Sequence, residues 1–396
     1  MFRVLTLNRI SQAGLSRLPA DRYEISETTG EPDAVLVRSA SLHEREIPPT
    51  LKAVGRAGAG VNNIPVTRLS ERGIPVFNTP GANANAVKEL VIAGLVLGCR
   101  RLCPAWEFAR TLSGSDAEIS QAIEAGKKQF AGYELPGRTL GVIGLGAIGR
   151  LVANTGVALG MRVMGFDPGL TVEGAWQLSA SVRQARSIDE LLGASDFVTL
   201  HVPLMDSTRK LIDGRRLAAM TRGAILLNFA REGVVDEGAV VQALDAGRLD
   251  AYVCDFPTNL TRHHPRCVTL PHLGASTAEA EENCAVMVVD QVRDFLEHGN
   301  VRHAVNFPDV QVARATPHRL VCANRNVPAM LGRISEVFGR AGLNIHDMVN
   351  MSRGELAYTL VDLDSAPGDD TVRQLAGIDG ILMVRRIDPP AQRLDT

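Results

Sequence analysis

The sequence predicts an α/β protein built from two doubly wound parallel-sheet domains, with a small ferredoxin-like α+β module after them. Three observations carry that reading. Short runs of near-continuous apolar residues alternate with helical stretches in two blocks of the chain, as in parallel sheets covered on both faces. A glycine-rich turn joins one such run to a helix. Over residues 318–396 the spacing changes to strand, helix, two strands, helix and strand, the order of a small α+β sandwich.

In the first block, 1–90, the strand-like runs are FRVLTLN (2–8), AVLVRS (34–39), LKAVGRAG (51–58) and IPVFNTP (74–80). The second block, 91–275, carries TLGVIG (139–144), MRVMGFD (161–167), FVTLHVP (197–203), AILLNFA (224–230), AYVCDF (251–256) and CVTLPH (267–272). Helix ends are legible between them. Ser187 and Glu190 form a capping-box pattern, and Gly160 and Gly247 stand where helices stop. A helix over 276–306, opened by Ser276 and Glu279, is expected to return to the first block. Residues 307–317, with Pro308 and Pro317 near their ends, read as a linker.

Composition excludes several classes of function. The chain has 396 residues, too many for one ordinary core, and a hydrophobic share of 45% that marks it as globular. A net charge of −2 argues against nucleic acid or an anionic membrane as main partner and leaves room for a local basic pocket for a small anion. No apolar run approaches the ~20 residues that span a bilayer, and Asn8 and Arg9 interrupt the N-terminus too soon for a signal peptide. The six cysteines form no CxxC pair, as expected of free thiols in a reducing, cytoplasmic setting. Cys254, His263, His264 and Cys267 lie close in sequence, but their spacing matches no zinc pattern, and no metal is expected.

Gly144-Leu145-Gly146-Ala147-Ile148-Gly149 matches G-x-G-x-x-G, follows an apolar strand and opens a helix. Asp167 ends the next strand about 20 residues on, completing a dinucleotide-binding fingerprint. An acid there accepts both ribose hydroxyls and repels a 2′-phosphate, which favours NAD over NADP. The segments after two later strands, Asn228 to Asp236 and Pro271 to Thr277, reach the edge where ligands bind in open α/β sheets. Hydride transfer at a secondary alcohol needs a proton acceptor and a cation for the neighbouring carboxylate. His272 and Arg231 suit those tasks.

The motifs GLGAIGR, NFAREGVVDEGAVVQAL and PHLGAST, in that order, resemble the D-isomer-specific 2-hydroxyacid dehydrogenase family, over residues 1 to about 305. The resemblance implies a flavodoxin-like substrate domain and a Rossmann NAD domain. It also implies that Arg231 binds the carboxylate and carbonyl, that His272 is the acid–base group, and that Asp255 holds the nicotinamide carboxamide. Pro203, Ala230, His272 and Gly274 join Gly144, Gly146, Ala147, Ile148, Gly149 and Asp167 around NAD.

Val37 to Ala40, Val54 to Gly60 and Asn78 to Asn85 resemble the branch of that family that oxidises 3-phosphoglycerate in serine biosynthesis, with Arg38, Ser39, Arg56 and Asn83 as its substrate-binding residues. A substrate bearing a carboxylate and a phosphate requires several cations, and Arg38, Arg56 and Arg231 supply them. Another 2-hydroxyacid, or an NAD-sensing regulator on the same scaffold, are the alternative expectations. One departure stands out. Family members place a Glu beside the catalytic His, and here Asn259 occupies its likely place. Either another acid substitutes, or the optimum pH is shifted, or activity is low; if Asn259 is not beside His272, Glu279 or Glu282 is where the partner acid is sought.

Residues 319–348 resemble the first β-α-β of an ACT regulatory domain, with Asn326 and Asn344 as possible effector ligands and Ala329 in place of a usual Gly. A homodimer or homotetramer is the family expectation.

Overall fold

The computed structural model describes Met1 to Asp388. It divides into two compact units, Met1–Ala82 with the chain from Glu281 onward, and Asn83–Ala280. The sequence reading drew its boundaries a few residues away, at 90/91 and 275/276. It also treated the C-terminal module, whose last residues 389–396 lie outside the described ones, as separate from the first block.

The first unit holds a five-stranded parallel sheet of β1 (Phe2–Leu7), β2 (Tyr23–Ser26), β3 (Ala34–Val37), β4 (Ala53–Arg56) and β5 (Val76–Phe77), in the order β2-β1-β3-β4-β5. That is the flavodoxin-like order, with its switch point between β1 and β3. β2 escaped the sequence reading because its run, Tyr-Glu-Ile-Ser, is an edge strand with two exposed central residues.

The second unit holds a seven-stranded parallel sheet: β6 (Thr139–Ile143), β7 (Arg162–Phe166), β8 (Val182–Gln184), β9 (Phe197–Leu200), β10 (Ala224–Asn228), β11 (Leu249–Cys254) and β12 (Cys267–Thr269), ordered β12-β11-β10-β9-β6-β7-β8. The order reverses at β6, so the glycine-rich turn leaves the sheet at its switch point. Val142, Val198, Leu226 and Val253 are fully buried on these strands. Near-continuous apolar runs are what a sheet covered by helices on both faces selects.

Gly160 and Gly247 end their helices at φ +76° and +63°, the left-handed region where glycine carries no Cβ penalty. Ser187 caps its helix through Glu190 N–H at 3.1 Å, but the Glu190 carboxylate returns to the N–H of Arg186, one residue before the cap. The long helix Ala278–His298 is capped by Thr277, whose Oγ1 accepts the N–H of Ala280, and not by Ser276 as expected.

The C-terminal module is an antiparallel sheet of β13 (His318–Arg325), β14 (Ile345–Arg353), β15 (Leu356–Leu363) and β16 (Ile381–Ile387), ordered β14-β15-β13-β16, with helices Met330–Arg340 and Asp369–Ala376. Both faces of this sheet are covered. Leu320, Cys322, Val361 and Leu363 pack with Met330, Ile334 and Phe338 under the module's own helices. Val321, Ala323, Tyr358 and Leu360 pack with Val288, Val292 and Phe295 of the long helix. The 307–317 segment is itself fastened down, with Phe307 and Val310 buried. Arg319 seals the seam: its guanidinium pairs with Asp362 at 2.7 and 2.8 Å and donates to the carbonyls of His298, Val312 and Ala313. Burial pushes the Asp362 carboxyl up, but the hydrogen bonds from Arg319 and the Ala315 N–H outweigh it and leave it below the usual range.

Candidate active site

In the second unit every candidate residue follows the C-terminal end of a strand or the turn leaving it. Gly144 takes φ +90°, and a Cβ there would lie 2.6 Å from the carbonyl oxygen of His201. A Cβ on Gly149 would lie 1.9 Å from the carbonyl oxygen of Gly144. A Cβ on Gly146, by contrast, meets nothing within 4 Å. So Gly144 and Gly149 are required by the fold itself, whereas Gly146 borders open space at the start of helix Ala147–Ala158. The first-turn N–H groups at Ala147 and Ile148 have no intrahelical acceptor and face a positive helix end. This cradle fits a dinucleotide pyrophosphate.

Asp167 stands at the end of β7, as the fingerprint requires. Its Oδ2 accepts the N–H of Leu145 and its Oδ1 that of Gly169, both at 2.8 Å. His201, which sequence reading did not single out, lies under the same turn. Its Nε2 sits 3.0 Å from Thr199 Oγ1 while its Nδ1 is buried without a partner, and burial pushes its pKa down to about 3. It is neutral at any physiological pH. Pro203, two residues on, uses its carbonyl to accept the hydroxyl of Thr208.

Arg231 is exposed after β10, with Nη1 donating to the Ala230 carbonyl at 2.7 Å. Asn228, also missed from the sequence, is buried and shapes this loop. Its Oδ1 accepts the N–H of Ala230 and its Nδ2 donates to the carbonyl of Arg231. A polar residue ending an otherwise apolar strand was the available signal.

Asp255 is 1% exposed at the end of β11; Oδ2 accepts the N–H of Gly274 at 3.3 Å and Oδ1 has no partner. An orphaned, buried carboxylate oxygen fits the amide of a nicotinamide ring. Burial pushes the Asp255 carboxyl up; the charge of His272 is the largest effect pulling it back, and Arg231 adds to that pull.

His272 is exposed at φ +49°, its N–H donating to the carbonyls of Asp255 and Leu270 at 3.0 Å each. Its ring lies 5.0 Å from that of Phe256, tilted 57°. Asn259 is exposed and makes no hydrogen bond to a described residue. His264 pairs with Asp245 at 3.2 Å, and among the described residues no cluster suits a metal ion.

In the first unit, Arg38 and Ser39 follow β3 and Arg56 ends β4. Asn8, at φ +70°, accepts the N–H groups of Ser39 and Ala40 across the switch point. Arg56 Nε donates to the Arg38 carbonyl at 3.1 Å, and Arg38 pairs with Glu281 at 2.7 Å. Gly58 makes room for Arg56, since a Cβ there would lie 2.3 Å from its Nη1. Asn83 begins the second unit and precedes helix Ala84–Cys99 without capping it through its side chain.

The two asparagines of the C-terminal module are not neighbours. Asn326 bonds to Gly354 at the hairpin turn, and Asn344 donates to Asp364 at the hairpin's far end. The eight residues of β15 separate them, roughly 25 Å at strand rise. A ligand the size of an amino acid does not span that distance within one copy. Ala329 adopts φ +64°, where a Cβ costs about 1–2 kcal/mol.

Residues 103–274 match the model of the D-isomer-specific 2-hydroxyacid dehydrogenase NAD-binding domain. The chain is 32% identical to D-3-phosphoglycerate dehydrogenase of Haemophilus influenzae, over 86% of this chain and 82% of that one. It is 34% identical to the enzyme of that name from Methanocaldococcus jannaschii, over 86% of this chain but 64% of the longer relative. Among solved structures, a glyoxylate reductase from Paecilomyes thermophila superposes with a TM-score of 0.63 at 26% identity, covering 77% of this chain and 98% of that one. An NAD-bound 3-phosphoglycerate dehydrogenase from Entamoeba histolytica shares the fold at a TM-score of 0.60 and 24% identity, over 77% and 99% of the two chains. With these likenesses the chain belongs to the D-isomer-specific 2-hydroxyacid dehydrogenases, as an NAD-dependent enzyme.

Proposed function

We propose that the chain oxidises 3-phosphoglycerate to 3-phosphohydroxypyruvate with NAD, the first step of serine biosynthesis. The observation that carries this reading is the juxtaposition of Arg38, after β3, and Arg56, ending the adjacent β4, with Arg56 Nε donating to the Arg38 main-chain carbonyl. A 2-hydroxyacid without a second anion does not call for both. The names of the relatives support the same substrate.

In this reading Arg38, Ser39, Arg56 and Asn83 hold the substrate, and Arg231 binds its carboxylate and polarises the reacting C–O bond. His272 takes the hydroxyl proton during oxidation and returns it in reduction. Gly144, Gly146, Ala147, Ile148, Gly149, Asp167, Pro203, Ala230, Asp255, His272 and Gly274 hold NAD, whose nicotinamide accepts the hydrogen leaving the carbinol carbon with its electron pair.

The C-terminal module serves as an ACT-type regulatory domain for an amino-acid effector, with Asn326 and Asn344 contributed by different copies. A homodimer is supported by helices Leu102–Thr111 and Asp116–Gly126, which bury no residue and expose Leu102, Trp106 and Ile123. A cytoplasmic location suits such an enzyme, and among the described residues no helix is long and apolar enough to cross a membrane. Turnover on a panel of 2-hydroxyacids with and without phosphate tests the substrate. A kcat/KM for unphosphorylated glycerate or lactate equal to that for 3-phosphoglycerate would overturn it.

A further inference from the structure

Leu145 stands between two glycines, Gly144 at φ +90° and Gly146 beside open space. Glycines on both sides leave the chain free to rotate there, so contacts of Leu145 itself must fix the turn. Its side chain is 4% exposed and lies against Gly165 of β7, where a Cβ would sit 2.8 Å from Leu145 Cδ1. Its N–H donates to Asp167 Oδ2 at 2.8 Å. Its carbonyl accepts Arg150 Nη1 at 3.0 Å.

Arg150 is half-buried on helix Ala147–Ala158. The same guanidinium donates through Nε to Gln177 Oε1 at 3.1 Å, and so ties the turn to the segment that follows β7. Asn154, one helical turn further on, holds that segment independently. It donates to the Gln177 carbonyl and accepts the N–H of Ser179, both at 2.8 Å. Gly174, in helix Val172–Trp176, leaves room for the guanidinium, since a Cβ there would lie 3.0 Å from Nη1. The segment is therefore fastened without Arg150, whereas among the described residues the Leu145 carbonyl has Arg150 as its side-chain donor.

We infer that Arg150 is a positioning residue for cofactor choice. By holding the Leu145 carbonyl it keeps the Leu145 N–H aimed at Asp167, and so keeps that carboxylate where it accepts a ribose diol and repels a 2′-phosphate. A turn released at this carbonyl rotates at its flanking glycines, and the N–H that braces Asp167 moves with it. The acid then keeps its charge and loses its fixed direction. The inference rests on Asp167 being the acceptor of the ribose diol.

The test is a double-mutant cycle read as the ratio of kcat/KM for NAD over NADP. Arg150→Met keeps the apolar stem and removes every donor. It should lower the ratio by about 3- to 10-fold, in the lower part of the range for residues sharing one hydrogen-bond network. The loss should lie in the KM for NAD, with kcat held. In an Asp167→Ala background no carboxylate is left to aim, and Arg150→Met should leave the ratio where Asp167→Ala put it. Gln177→Ala removes the other contact of the guanidinium and should leave the ratio at its native value. Thermal melts without cofactor establish that each variant is folded. Arg150→Gln, too short for the Leu145 carbonyl, reads the same coupling if Arg150→Met does not fold. A ratio unmoved in the folded Arg150 variant, lowered equally in both backgrounds, or lowered as much by Gln177→Ala would overturn the inference. A ratio unmoved by Asp167→Ala alone would instead overturn the reading of Asp167 beneath it.

Discussion

Leu145 and Asp167 are joined by a 2.8 Å hydrogen bond from main-chain N–H to carboxylate. The acid is therefore oriented by the glycine-rich turn before any nucleotide arrives. Asp167→Ala removes this brace and, under the proposed function, the acceptor for the ribose diol. Hydrogen bonds to a charged group contribute ~1.5–3 kcal/mol, so the ratio of kcat/KM for NAD over NADP should fall by about 10- to 100-fold. An unchanged ratio would place cofactor selectivity elsewhere.

Two glycines of one motif should fail in different ways. Gly149→Ala drives a methyl group into the Gly144 carbonyl, with no flexible side chain to yield, and should cost about 2–3 kcal/mol or more in stability. Gly146→Val meets open space and should leave the melting temperature within a few degrees while NAD binding disappears. Thermal melts with and without NAD separate the two. If Gly146→Val still bound NAD normally, the pyrophosphate would not sit there.

His272 is best replaced by Asn, which tolerates its left-handed backbone. Turnover should drop ~10²–10⁴-fold with little change in NAD affinity. Arg231→Lys keeps the charge and loses the planar fork, so it should lower kcat as well as raise the substrate KM. A change in KM alone would assign Arg231 to binding only.

Arg38 enters the substrate question already engaged with Glu281. Arg38→Ala should raise the KM for 3-phosphoglycerate by about 10-fold or more, given ~1.5–3 kcal/mol per charge-assisted bond. Glu281→Gln should lower that KM severalfold, because the anion no longer competes with a carboxylate. Steady-state kinetics at fixed ionic strength check both. A KM untouched by Arg38→Ala would remove Arg38 from the substrate site.

Arg319 and Asp362 are fully buried, so Asp362→Asn leaves a guanidinium without its counter-charge and should cost ~3–5 kcal/mol. The lowered carboxyl makes the pair's contribution present above the unfolded carboxylate range, and it is lost as pH falls through the folded value. The native protein should therefore lose more stability than Asp362→Asn on acidification below about pH 4. Parallel acid titration curves would contradict this.

What the sequence disclosed followed from how local each signal is. A parallel strand buried on both faces is a run of apolar residues, and β6, β9, β10 and β11 are plain in the text. β2 and β8 are edge strands of three or four residues with polar side chains, and no local pattern marks them. The glycine fingerprint was legible because two of its glycines are dictated by contacts within the turn itself. The grip of Asp255 on the His272 turn was not, because it joins residues on adjacent strands through a main-chain carbonyl. Likewise Thr277 outcompeted Ser276 as cap, a shift of one residue that composition does not decide.

The C-terminal sheet roofs the long helix on one side while wearing its own helices on the other. A chain cut near residue 317 would lay bare Val288, Val292 and Phe295 and strand the carbonyls of His298 and Gly299, which Arg319 and Tyr358 now occupy. Trimming away this module would therefore yield an insoluble stump in place of a deregulated enzyme. Any bending of the sheet would press directly on the helix that carries Glu281, the partner of Arg38.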